Sequence, residues 1–310
     1  MTAPSAADLV EQAERVAETD PSVAIVLVEQ VLAWRGPEEI GPYWRGRASW
    51  ARGRAERHLG RYRDAQASLE VAVALLQRTG DREATARATV HLALERIDAG
   101  RFDEAIELID QAAADLTGAE AARASAQRAL ALQRGGRIVD AKEDWERAMN
   151  AFLVAGMEVV AANCQESRGL VHAYRGELVM ADADLEAAEK TFVRAGEHIR
   201  AAEAVHNRGF VAARRGDLPK ALALFDQAQS RLAELGALRP AMLVDRVEVC
   251  LQAGLATEAR GIAEAAVVSL DQVGLGADVP EASLLAARAC EQDNDISASA
   301  SWATRAMALF

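Results

Sequence analysis

The apolar positions of this chain fall into columns that return about every forty residues. An alanine stands five places after a glycine at Ala65, Ala105, Ala141, Ala181, Ala221 and Ala259. Four residues further on comes a larger apolar side chain: Leu69, Ile109, Trp145, Leu185 and Phe225. Seven residues beyond the first alanine lies another, at Ala72, Ala112, Ala148, Ala188, Ala228 and Ala266. Twelve residues before it sits a small or slim residue: Gly53, Ala93, Ala129, Gly169, Gly209 and Val247. Spacings of four and seven put side chains on one face of a helix, so each unit reads as a helix, a glycine stop and a second helix. The small residue upstream then permits close approach of the pair.

The stops carry their own chemistry. Glycine suits the left-handed cap that closes a helix, and Arg175, Arg214 and Arg215 crowd the carbonyl ends where cations are favoured. Asp217 with Pro219, and Asp20 with Pro21, mark helix starts. Six units match the columns; a degenerate one precedes them with Ala24 in the alanine column. Another follows, with Asn294-Asp295-Ile296 at its turn. The expectation is an all-α, right-handed α-solenoid of about eight helix pairs, or sixteen helices. One repeat domain would cover 1–310, in units of approximately 5–36, 43–80, 81–118, 119–156, 157–196, 197–236, 237–275 and 279–310. A single pair cannot bury its apolar face, so neighbours must stack.

Composition narrows the possibilities. The 310 residues are 51% hydrophobic, enough for a sizeable core. No apolar run approaches the roughly 18 residues of a membrane span, so no membrane partner is expected. Met1-Thr2-Ala3-Pro4 lacks the features of a secretory signal. Cys164, Cys250 and Cys290 form no CxxC spacing and fit a reduced, cytoplasmic setting. A net charge of −12 disfavours a nucleic-acid partner. Only Lys142, Lys190 and Lys220 are lysines, against 35 basic residues in all. Gly36-Pro37…Gly41-Pro42 is the most obvious irregular joint.

The columns resemble tetratricopeptide repeats, whose small, alanine, aromatic and alanine positions they reproduce at the same offsets. The usual unit is ~34 residues, whereas these run 36 to 40, from Gly100 to Gly136 and from Gly136 to Gly176. Longer helices account for the difference. The Leu that normally precedes the small residue is Arg at Arg52, Arg128, Arg168, Arg208 and Arg246. A narrower likeness runs over about 200–310. His206-Asn207-Arg208-Gly209-Phe210-Val211-Ala212-Ala213-Arg214-Arg215-Gly216-Asp217-Leu218-Pro219 and Asp245-Arg246-Val247-Glu248-Val249 look like the repeat region of actinobacterial, hence bacterial, CHAT-domain proteins. In that family a caspase-like domain with a His/Cys pair follows the repeats. Nothing in this sequence corresponds to it. The apolar last segment, Trp302 to Phe310, wants a neighbour, so a further domain or a dimer contact is expected beyond it.

In tetratricopeptide units the first helix lines a concave groove. Carried over column by column, that resemblance gives groove candidates Trp50, Arg54, Arg57, Arg87, Arg123, Arg134, Asn163, Glu166, Tyr174, Glu203, His206, Phe210 and Arg214. The early members are basic and the later ones add acids and aromatics. An acidic peptide or a partner's carboxylate terminus suits such arginines. A charged face of this kind is equally a solvated one.

The Arg column points ~160° away from the groove, toward neighbouring helices. There an acidic column, Glu70, Asp110, Glu146, Glu186, Asp226 and Glu264, is positioned to pair with it. Cys250, Cys290 and His172 share a packing column. His198 and His206, eight apart, lack the spacing of two ligands on one helical face. No Walker, Rossmann or GxSxG pattern occurs, and Gly274-Leu275-Gly276 lacks every supporting feature.

The expected function is a non-catalytic protein- or peptide-binding scaffold without cofactor or metal. By resemblance it would be the regulatory region of a larger protease-like protein, with an in-cis C-terminal domain as one partner. A peptide-sensing module of a transcriptional regulator, and an enzyme with an unrecognised site, are the competing readings.

Overall fold

The computed structural model describes residues 4–34, 40–237, 239, 242–273 and 279–309. The Gly36-Pro37 part of the expected joint, the Gly274-Leu275-Gly276 segment and Phe310 lie outside the described residues. Among those described, sixteen helices and no strand are present. The chain divides into two compact units, Met1–Met157 and Glu158–Phe310. The division falls at the junction expected between the fourth and fifth helix pairs.

The first unit holds α1 (Ala6–Val16) and α2 (Pro21–Leu32), then α3 (Pro42–His58) and α4 (Tyr62–Gln77). It continues with α5 (Arg82–Asp98), α6 (Phe102–Ala113), α7 (Gly118–Arg134) and α8 (Ile138–Val154). The second holds α9 (Glu158–Tyr174), α10 (Leu178–Ala195), α11 (His198–Arg214) and α12 (Leu218–Glu234). It ends with α13 (Met242–Gln252), α14 (Ala256–Val273), α15 (Val279–Gln292) and α16 (Ile296–Leu309). Many helices run to 17 residues, which is where the extra length of each repeat resides.

The columns become contacts. A Cβ built on Gly53 would meet Leu69 Cγ at 2.6 Å and the Ala65 carbonyl at 3.1 Å. Gly169 stands in the same relation to Leu185 and Ala181, and Gly209 to Phe225 and Ala221. Gly46 meets Leu76 in the same way, so seven residues forward on α3 are seven residues back on α4. The two helices are therefore antiparallel. Every alanine of the two alanine columns is buried, as are Leu69, Ile109, Trp145, Leu185 and Phe225.

The turns follow the sequence. Gly216 has φ 81°, and the Asp217 N–H reaches back to the Ala212 carbonyl at 3.0 Å, the pattern of a left-handed helix cap. Asn294 takes the same role at φ 60°; its short polar side chain makes it one of the few non-glycine residues suited to that region. Asp20 and Asp217 accept the Val23 and Lys220 N–H groups at the helix starts, as their spacing to Pro21 and Pro219 implied.

The Arg column finds carboxylates, at Arg128 and Arg246 including the expected outer ones. Arg128 joins Asp110 of the preceding pair at 2.7 Å and Asp144 of its own at 2.6 Å. Arg246 likewise links Asp226 and Glu258. Arg168 grips Asp184, Arg208 takes Asp182 and Glu189, and Arg52 takes Glu56 on its own helix. Of the outer acidic column, Glu70, Glu186 and Glu264 pair with Arg96, Lys190 and Arg260. Asp144 and Asp184 stand three residues after the alanine and are buried; the outer column stands five after it, on the solvated side. A buried carboxylate without a cation is far costlier than an exposed one, so the inner positions claim the arginines.

Cys164, Cys250 and Cys290 are buried, and burial pushes the Cys164 thiol up to about 12. His172 is buried too, but it is more than filler: its ring bonds Glu177 and lies 3.8 Å from Asp184. Among the described residues no helix is long and apolar enough to cross a membrane.

The packing at Gly209 gives a stability test. Gly209→Ala would drive a methyl to 2.6 Å from the Phe225 ring, so we expect a loss of about 1–2 kcal/mol despite the better helix propensity of alanine. Gly261, inside α14 with nothing within 4 Å of a built Cβ, is the control; Gly261→Ala should gain up to about 1 kcal/mol in urea unfolding.

Candidate functional site

In the first unit α1, α3 and the start of α5 enclose a cleft of about 540 Å³. Trp50 and Arg54 of α3 and Arg87 of α5 line it, with Tyr43 and Arg47, Arg15, and the acids Glu11, Glu14, Asp81 and Glu83. Trp50 is only 4% exposed. The guanidinium carbons of Arg87 and Arg54 lie 4.9 and 5.6 Å from its ring centroid, within cation–π range. His91 meets the same ring edge-on at 5.5 Å. Burial pushes the His91 imidazole down to about 4, so it is neutral near pH 7.

The basic character expected of this face is balanced by acids. Arg54 pairs with Glu18, and Arg47 with Glu14. Arg57 and Arg134 converge on Asp98, where Arg57 also holds Glu95 at 2.8 Å. Arg123 bonds Glu120 one turn back on its own helix. Arg57, Arg123 and Arg134 are thus outside the Trp50 cleft and tied into pairs between or along helices.

In the second unit, α9, α11 and α13 line a cleft of about 390 Å³. Glu166, Ser167 and Leu170 come from α9; Glu203, His206 and Asn207 from α11; Met242 and Asp245 from α13, with Arg239 before it. The polar groups are held by one another. Asn207 donates to Glu166 at 2.9 Å, Arg239 to Glu203 at 2.7 Å, and Arg200 to Asn163 at 2.8 Å. His206 Nε2 lies 2.8 Å from Asp245, and its ring packs on Phe225 at 4.6 Å. Burial, reinforced by the Glu203 charge, pushes the Glu166 carboxyl up to about 7.

Behind His206 lies a mainly apolar pocket of about 120 Å³ with Phe225, Ala228, Leu232, Met242 and Leu243 in its wall. Tyr174, Phe210 and Arg214 form a separate patch: the two rings are 5.8 Å apart and Arg214 lies over Phe210 at 5.7 Å. Phe210 and Arg214 also border a 130 Å³ pocket that shares Asp245 with the larger cleft.

The structure therefore brings together Trp50, Arg54 and Arg87 in one unit, and Glu166, Glu203 and His206 in the other, while Asn163 is held by Arg200 outside the cleft lining. Column spacing missed Tyr43, Arg47, Asn207, Arg239 and Asp245. Asn207 was within reach, since it stands forty residues after Ser167 in the same register that relates Glu166 to His206. Asp245 was within reach by the same columns, since it stands two residues before Val247 as Asn207 stands two before Gly209.

No family model and no curated protein matches the chain. Solved structures do match in fold. The apo form of the quorum sensor NprR from B. thuringiensis has a TM-score of 0.74 at 12% identity, over 97% of this chain and 86% of that one. The Rap conjugation gene regulator of plasmid pLS20, in complex with the Phr* peptide, has a TM-score of 0.61 at 14% identity over 99% and 96%. Tetratricopeptide-like repeats of a Podospora anserina kinesin light chain give 0.54 at 19% identity over 64% and 99%. The chain has the tetratricopeptide-like all-α solenoid fold.

The Glu166 carboxyl sets a pH dependence. Its folded value of about 7 lies above the ordinary 4.5, so the folded state keeps a proton that the unfolded chain releases. That contribution is present below about pH 4.5 and is lost as pH rises through about 7. Glu166→Gln should therefore remove a decline on the order of 1–2 kcal/mol between pH 5 and 8 in chemical denaturation. Parallel profiles for the two proteins would contradict the assignment.

Proposed function

We propose that this chain is a peptide-binding regulatory module that acts by recognition rather than by chemistry. The observation that carries the reading is the second-unit cleft, where Glu166, Glu203 and Asn207 are cross-braced by Arg239 and by one another rather than left to solvent. Side chains already fixed lose little rotamer freedom when a ligand arrives. Carboxylates and a carboxamide in such a cleft match the alternating N–H and C=O groups of an extended backbone, and the apolar pocket behind His206 would take one side chain.

The fold-level likeness to a quorum sensor and to a regulator holding a peptide supports this reading. It favours a peptide-sensing repeat module of a transcriptional regulator. The sequence resemblance of about 200–310 to repeats preceding a caspase-like domain offers another way for binding to be relayed in cis. Both uses share the same first step, capture of a peptide.

Selection of random decapeptides on the full chain should return a convergent set. Asn207→Ala and Glu203→Ala should each weaken binding of that set by about tenfold, with helical circular dichroism unchanged. Selected peptides that bind the variants and the parent equally would remove this cleft from the proposal.

A further inference from the structure

Four residues beyond the later alanine of each pair stands a further apolar column: Leu76, Leu116, Phe152, Phe192, Leu232 and Leu270. Phe152 and Phe192 are fully buried there. At Leu232 a smaller side chain occupies the place that α8 and α10 give to a ring, and a pocket of about 120 Å³ lies beside it. The pocket sits between α12 and α13, with Phe225, Ala228 and Leu232 on one side and Met242 and Leu243 on the other. Protein interiors leave few voids larger than a water molecule, so an opening of this size has room for a ligand group.

The polar part of its lining is already committed. Arg239 is held by Glu203, and Arg246 by Asp226, Gln229 and Glu258. His206 meets Asp245 through Nε2 and packs its ring against Phe225. A charged group placed inside would lose its water and find both arginines neutralised. An apolar group has the opposite balance, gaining with each carbon taken out of water.

Volume decides which apolar group fits. A protein cavity of about 150 Å³ takes a benzene ring. The 120 Å³ here is smaller, and a phenylalanine side chain exceeds benzene by a methylene. A branched side chain of four carbons fits, and a ring does not. The pocket also shares His206, Arg239 and Met242 with the 390 Å³ cleft of the second unit. A side chain can therefore enter it from a backbone lying in that cleft.

We infer that this pocket sets the specificity of the second-unit cleft by taking a leucine side chain of the bound peptide and refusing aromatic ones. The inference rests on the peptide reading and names the side chain selected. Leu232 is the residue that sets the choice, because the ring found at 152 and 192 would fill the space.

The test uses the full chain with ¹³C-labelled methionine methyls, the Met242 signal being assigned through Met242→Leu. The probes are N-acetyl-leucine methylamide and its phenylalanine and glycine counterparts, which carry no charge. The leucine probe should shift the Met242 signal, and the other two should not at the same concentrations. Leu232→Phe should weaken the leucine response about a hundredfold, since four carbons then stay in water, without lowering the urea midpoint. Leu243→Ala, at a partly buried wall position, should enlarge the pocket and admit the phenylalanine probe. Decapeptides selected on the full chain should share a leucine whose replacement by alanine costs about fiftyfold. Selected peptides that bind Leu232→Phe as tightly as the parent would overturn the pocket and leave peptide capture standing. A Met242 response to the leucine probe with no peptide selected would uphold the pocket and count against peptide capture. A Met242 signal unmoved by the leucine probe, or moved equally by the phenylalanine probe in the parent, would overturn the inference.

Discussion

The whole architecture depends on one steric fit. A residue with little or no side chain on the first helix of a pair receives a Leu, Ile, Trp or Phe from the second, sixteen positions later. At Gly209 the gap is already filled by the Phe225 ring, and the Ala221 carbonyl closes it from the other side. Interiors packed at this density have no slack, so the fit fixes how close the helices lie and how they are rotated. Once rotation is set, every other residue on the first helix has an assigned direction. The arginine just before the small residue faces adjoining helices, whereas Trp50 and His206, three places before it, border the clefts.

That rotation also decides the electrostatics. It brings Arg128 within reach of carboxylates on both sides and turns Asp144 and Asp184 inward, where they need a cation. Most arginines are therefore consumed as internal bracing. Few cations remain loosely held in the described clefts, and Arg87, 3.7 Å from Glu120, is one of them. A chain of net charge −12 can in this way present a cleft that is charge-balanced at Trp50 and another that is acidic at Glu166. Binding surfaces assembled from braced residues suit recognition of a defined group better than general attraction of charge.

The candidate sites were partly legible. Trp50, Arg54, Arg87, Glu166, Glu203 and His206 follow from the forty-residue register, because position within the helix fixes which face a side chain takes. Grouping was not legible. Arg57, Arg123 and Arg134 occupy similar columns yet are drawn to Asp98, Glu95 and Glu120. Asp245 reaches His206 from the first helix of the next pair, a contact that the column position alone does not specify.

By itself the sequence determined the helix pairs, their turns and their meshing residues, since these rest on local conformational preference and on spacings within a single hairpin. Glycines at left-handed turns, aspartates at helix starts and alanines at intervals of seven act over a few residues and leave a direct record in the chain. Only the tertiary structure decided which carboxylate each arginine takes and how deep each cleft is. Those outcomes depend on distances between helices from different repeats, and long side chains such as Arg can choose among several partners at nearly equal sequence offset.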